Sequence, residues 1–176
     1  YIAFISFLLL VPLVAMRFSN EVNWGLMDFV VMGLLLTGVA VIVEFAIRKR
    51  AAFAKNGAYF LAVVLMLMAC FVQLWANIAV GIVGSEGNAA NILFYGVVGV
   101  ALAGTLVARL ESQRMMVAML IAAAAQVGVF LVASAAGWGT VPVFTLVLTL
   151  LWAGSAMLFR KSANEQALFS PSGLSG

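Results

Sequence analysis

The sequence has no histidine, one cysteine, one aspartate and three prolines. Without histidine the chain lacks the commonest metal ligand, the usual haem ligand and the proton carrier of physiological pH. Cys70 has no second thiol for an internal disulfide, and one thiol builds neither a zinc nor an iron–sulfur site, so it reads as a small buried hydrophobe. Charge is also scarce. Asp, Glu, Lys and Arg make up 9% of the residues, against about 25% in an ordinary soluble domain, while 66% are hydrophobic. So apolar a chain cannot cover itself with polar surface, and lipid must be its solvent. The net charge of +3 is not a nucleic-acid footprint, because the basic residues stand at helix ends.

Catalytic signatures are missing too. There is no G-x-S-x-G, no P-loop and no aspartate pair, since Asp28 stands alone. Lys49, Lys55 and Lys161 all sit at or beyond helix ends, so no lysine is available in mid-membrane for a Schiff base. The expectation is a non-enzymatic protein without cofactor.

What is present is a set of long uncharged runs. Met115 to Phe159 holds 45 residues without a charge, and about 20 apolar residues cross a hydrocarbon core, so this run contains two spans. Its break falls at Ala136-Gly137-Trp138-Gly139-Thr140. The same reasoning predicts an all-α membrane bundle with six spans, near 1–16, 26–47, 57–83, 91–108, 115–135 and 141–159. Residues 1–161 are expected to form one membrane domain and 162–176 a flexible tail. Because the first residue is Tyr1 and not Met, further residues are expected upstream. Pro12 is a candidate kink in the first span.

Charge orients the spans. One set of connections carries Arg48, Lys49, Arg50, Lys55, Arg109, Arg114, Arg160 and Lys161, and the other carries only Arg17. By the positive-inside rule both termini are cytoplasmic. Trp24 and Trp138 suit an outer aromatic belt, Tyr59 and Phe159 an inner one. Connections this short make successive helices antiparallel neighbours. Gly96, Gly99, Ala103 and Gly104 recur at spacings that permit close helix contact, predicting a face for a membrane-protein partner or a second copy.

Polar groups within a bilayer each need a partner. Glu44 and Arg48, four apart, are expected to pair near the cytoplasmic surface. Gln73 and Asn77 share a face of the third span. Gln126 lies mid-way along the fifth and is expected to hydrogen-bond across the last hairpin near Thr149. Thr145 and Thr149 are expected to bond carbonyls one turn back. The most site-like group is on the outer side: Glu21, Asn23, Trp24 and Asp28 from one loop, Ser85, Glu86, Asn88 and Asn91 from the next. Such carboxylates and amides suit a hard cation or a polar solute. The competing reading is helix capping and solvated loops.

The segments VPLVAMRFSNEVNWGLMDF (11–29) and AVGIVGSEGNAANILFYGVVGVALAG (79–104) resemble a family of small multi-pass inner-membrane proteins of Gram-negative bacteria, itself without an assigned activity. Its usual form reads approximately PLxAMxFTxEVNWxxxDF and GIIGSExNPANLM. Glu21, Val22, Asn23, Trp24 and Asp28 match, as do Gly84, Ser85, Glu86, Asn88, Ala90 and Asn91. Ala89 replaces the family's Pro. The resemblance implies a bacterial inner-membrane location and draws attention to the outer loops. Three function classes remain open. The first is a non-catalytic accessory or assembly subunit, which the plentiful packing faces favour. The second is a small channel, transporter or sensor entered through the outer loops. The third is an intramembrane enzyme or pigment carrier, which the absence of histidine disfavours.

Overall fold

The computed structural model describes residues 2–18, 24–53, 56–79, 81–84, 88–139 and 141–168. They form six α-helices: α1 (Ile2–Phe18), α2 (Leu26–Phe53), α3 (Gly57–Ala79), α4 (Ile92–Ala108), α5 (Ser112–Ala135) and α6 (Pro142–Leu168). A 3-10 turn at Ala89–Asn91 leads into α4. No strand occurs among the described residues. The helices divide into two units, Tyr1–Ala52 and Phe53–Gly176, where one domain was expected.

In unit 2, α3, α5, α6 and α4 with its leading turn are each long and apolar enough to cross a membrane. Unit 1 contributes shorter apolar stretches, Ile5–Phe18 and Leu26–Val41. Within unit 1, Leu9 of α1 approaches Gly33 of α2, and Pro12 lies inside α1.

The unit 2 helices close into a ring: α3 packs on α4 and α6, and α5 packs on α4 and α6. Its outside is apolar, with Leu102, Leu106, Ile121, Leu131, Leu146, Leu150 and Met157 exposed. Its inside carries Gln73, Asn77, Gln126, Thr145 and Ser155 beside Phe94, Met115, Leu148 and Trp152. Polar side chains inside and aliphatic ones outside is the arrangement that a lipid solvent selects. Small residues set the closest approach. A Cβ built on Gly104 would come within 2.8 Å of the Ala118 Cβ, and one on Gly154 within 3.2 Å of Leu65.

Several element ends differ from expectation, and the second helix runs to Phe53, past the expected 47. The third helix stops at Ala79, not 83, because Gly81 and Gly84 adopt left-handed φ values and the chain turns back on itself. The sixth continues to Leu168, into the expected tail. No glycine or proline interrupts Lys161 to Leu168, Lys161 pairs with Glu165 at 3.9 Å, and Ser162 is fully buried. The fifth starts at Ser112, with Arg109 (φ 50°) and Leu110 (φ 62°) forming a left-handed turn before it. The break at 136–140 lies where expected. There Gly137 (φ 69°) accepts the left-handed C′ position, Gly137 N donates to Ser134 O, and Trp138 N donates to Ala133 O. These two bonds are the Schellman pattern that satisfies the last carbonyls of a helix.

Candidate functional site

The described members of the expected outer constellation, Trp24, Asp28, Asn88 and Asn91, each make local contacts. Asp28 Oδ2 accepts from Gly25 N at 2.7 Å, reaching back over the first turn of α2 as the acidic half of a capping box does. Trp24 stacks edge-on against Phe29 at 5.3 Å. Asn88 caps the 3-10 turn, its Oδ1 accepting from Ala90 N at 2.9 Å. Glu21, Asn23, Ser85 and Glu86 lie outside the described residues, as does the Arg48 side chain expected to pair with Glu44. Trp24 and Asp28 belong to unit 1, Asn88 and Asn91 to unit 2.

Asn91 is a latch. Its Oδ1 accepts from Val83 N at 2.8 Å and its Nδ2 donates to Val83 O at 3.3 Å, so one side chain satisfies both backbone groups of a buried residue. Asn77 Nδ2 donates to Asn91 O at 3.0 Å, and Gln73 Nε2 donates to Phe94 O at 2.8 Å. The latched Val83 and Ile82 pack with Ala76, Phe94 and Ala133 as a hydrophobic plug at this end of the ring.

Beneath the plug the polar atoms are not satisfied. Gln73 Oε1, Asn77 Oδ1, both amide atoms of Gln126, the Thr145 and Thr149 hydroxyls and Trp152 Nε1 are buried without a hydrogen-bond partner among the described residues. The expected bond from Gln126 across the hairpin is not made, nor are the expected back-bonds of Thr145 and Thr149. Thr105 and Ser134 do make such back-bonds, to Ala101 O and Phe130 O at 2.8 Å.

Register sets the order of these residues along the ring axis, here called the column. Ser155 Oγ donates to Ala62 O, so antiparallel α3 brings Gln73, eleven residues after Ala62, level with Phe144, eleven before Ser155. The Ser112–Ser162 hydroxyl pair likewise brings Gln126, fourteen residues after Ser112, level with Leu148. From Gln73 to Trp152 the column therefore runs about 12 Å at 1.5 Å per residue. Thr145, Gln126 and Thr149 fall between, and Asn77 lies in the plug layer.

The opposite end of unit 2 is closed. Ser112 and Ser162 hydroxyls meet at 3.1 Å, Asn56 Nδ2 donates to Ser162 O at 3.2 Å, and Tyr59 OH donates to Leu110 O at 3.0 Å. Phe159, expected with Tyr59 in the inner aromatic belt, is fully buried and stacked edge-on with Tyr59. Asn56, Ser112, Ser155 and Ser162 escaped the sequence reading because single hydroxyls and amides near helix ends carry no spacing signal. The expected partner face divides. Gly104 faces Ala118 inside the unit and is not part of an outer face, whereas Gly96, Gly99 and Ala103 are exposed, and a Cβ on either glycine would meet nothing within 4 Å. Among the described residues no three His, Cys, Asp or Glu side chains cluster.

No protein-family model, curated protein or solved structure matches the chain.

Proposed function

We propose that this chain is a non-enzymatic, six-span bacterial inner-membrane protein, with both termini cytoplasmic, that binds a small polar solute within unit 2 as a transporter or sensor does. The observation that carries the reading is the buried amide pair of Gln126. A carboxamide with neither its donor nor its acceptor used is costly in a low-dielectric interior, and a helix bundle retains it where something polar visits. The eight-to-one distribution of basic residues supports the orientation. The likeness of the 11–29 and 79–104 segments to Gram-negative inner-membrane proteins supports the location.

The test is thermal unfolding of the full chain in mild detergent against panels of neutral polar solutes, salts and apolar compounds. A saturable rise in Tm with a polar solute or salt is the expected result, since a ligand of the folded state alone stabilises it by mass action. A Tm indifferent to every panel overturns the reading.

A second reading, an accessory subunit of a membrane complex, draws on the open α4 face at Gly96 and Gly99. It predicts that Gly99→Leu strips a co-purifying membrane protein while leaving the Tm of the isolated chain unchanged.

A further inference from the structure

We infer that the column beneath the Val83 plug is a blind binding site for a small, uncharged solute that both donates and accepts hydrogen bonds. The inference rests on the solute-binding reading and goes further by assigning the site and the ligand's chemistry.

Charge is the first argument. The sequence has no Asp, Glu, Lys or Arg in α3, in α4, or anywhere from Met115 to Phe159. An ion entering the column would lose its hydration with no counter-charge to meet it, whereas a neutral solute loses far less. The donor and acceptor pattern is the second. Near the plug the atoms with no partner are acceptors, Gln73 Oε1 and Asn77 Oδ1, while each amide nitrogen already makes one bond, to Phe94 O and Asn91 O. At the other end the free atom is a donor, Trp152 Nε1, which can only donate. Between them Gln126 offers one of each, and Thr145 and Thr149 can act either way. A solute with N–H or O–H groups toward the plug and an oxygen acceptor toward Trp152 complements this gradient. A primary amide or a small polyol has that chemistry.

The third argument is closure. Past Trp152, Ser155 is bonded to Ala62 O, and the buried residues Met119, Met115 and Phe159 bring no unpartnered polar atom. The column therefore ends blind. At its other end, among the described residues, Val83 and Ile82 pack with Ala76, Phe94 and Ala133, on a segment that turns through left-handed Gly81 and Gly84 and is held by the two Asn91 bonds. Entry is by way of this plug.

The test uses the indole N–H resonances of the full chain in detergent micelles, with Trp152 assigned by its loss in Trp152→Phe. The probes are acetamide, glycerol, sodium chloride and choline chloride. The proposal expects a saturable shift of the Trp152 resonance with acetamide or glycerol, and none with either salt. It expects that response to weaken tenfold or more in Gln126→Leu, and independently in Thr145→Val, with the other indole resonances unmoved as evidence of intact folding. A Trp152 shift with sodium chloride alone overturns the neutral-solute assignment but leaves solute binding standing. Saturable Tm stabilisation by a solute that leaves Trp152 unmoved overturns the location. A Trp152 proton that contacts water and responds to no probe, with an indifferent Tm, overturns both readings and makes the column a buried-water site.

Discussion

The two ends of the four-helix ring both bury polar side chains, yet they treat them in opposite ways. At the Ser112–Ser162 end each hydroxyl or amide is used: Ser112 on Ser162, Asn56 on the Ser162 carbonyl, Tyr59 on the Leu110 carbonyl, Ser155 on that of Ala62. At the Asn77–Asn91 end the amide nitrogens of Gln73 and Asn77 are used, but their oxygens and all of Gln126 find no partner among the described residues. Buried polarity is therefore not itself the functional signal. A closed hydrogen bond between helices is architecture, and the open ones inside a low-dielectric core are what the proposed solute site rests on.

Removing the latch should have the largest effect. Asn91→Leu leaves both backbone groups of buried Val83 unpaired, and is expected to cost about 2–4 kcal/mol, measured as a fall in Tm in detergent. A Tm within experimental error of wild type would show that the plug is not held through Asn91. Next comes Gly104→Val, which forces a side chain against Ala118 and should cost about 1–3 kcal/mol by overpacking. Ala118→Gly should recover part of that loss in a double-mutant cycle. Gly99→Val, on the open face, should stay within about 0.5 kcal/mol of wild type in the same assay.

The sharpest comparison pairs one change at each end. Ser112→Ala breaks a closed bond and should destabilise by about 0.5–1.5 kcal/mol, as interhelical hydrogen bonds in membranes generally do. Gln126→Leu removes an amide that makes no bond and should be neutral or stabilising in the absence of solute. Equal destabilisation by both would erase the distinction between the two ends. The smallest effect is expected at the α4–α5 turn. Leu110→Gly relieves a left-handed residue at φ 62° and should raise stability by a few tenths of a kcal/mol, after the larger chain entropy of glycine is subtracted.

How much of this was legible in the chain varies by feature. The break between α5 and α6 could be read from Gly137 and Gly139 alone, because a helix ends where a left-handed residue is cheap. The run past Ser162 was misread as a tail on composition. Its helix persists because Ser162 is anchored to Ser112 and its neighbours contain no breaker. Asp28 and Asn88, both expected in the outer group, make local bonds to Gly25 N and Ala90 N; the sequence offered a helix-end role for Asp28 but not for Asn88. Gly104 was grouped with Gly99 by spacing, and only the position of Ala118 separated them.

By itself, the sequence determined that the chain is helical and suited to lipid, and nearly where each of its helices starts, though not where α2 and α6 stop. Those properties follow from local physics: backbone groups in hydrocarbon must bond within their own helix, and charges, glycines and prolines mark where the hydrocarbon-facing runs end. Tertiary structure decided the cyclic order of α3 to α6, the latch of Asn91 on Val83, and which amides and hydroxyls are closed and which stay open. A side-chain hydrogen bond depends on a partner that packing delivers from another part of the chain. Asn56 and Ser162 stand 106 residues apart, and no spacing in the sequence announces that they meet.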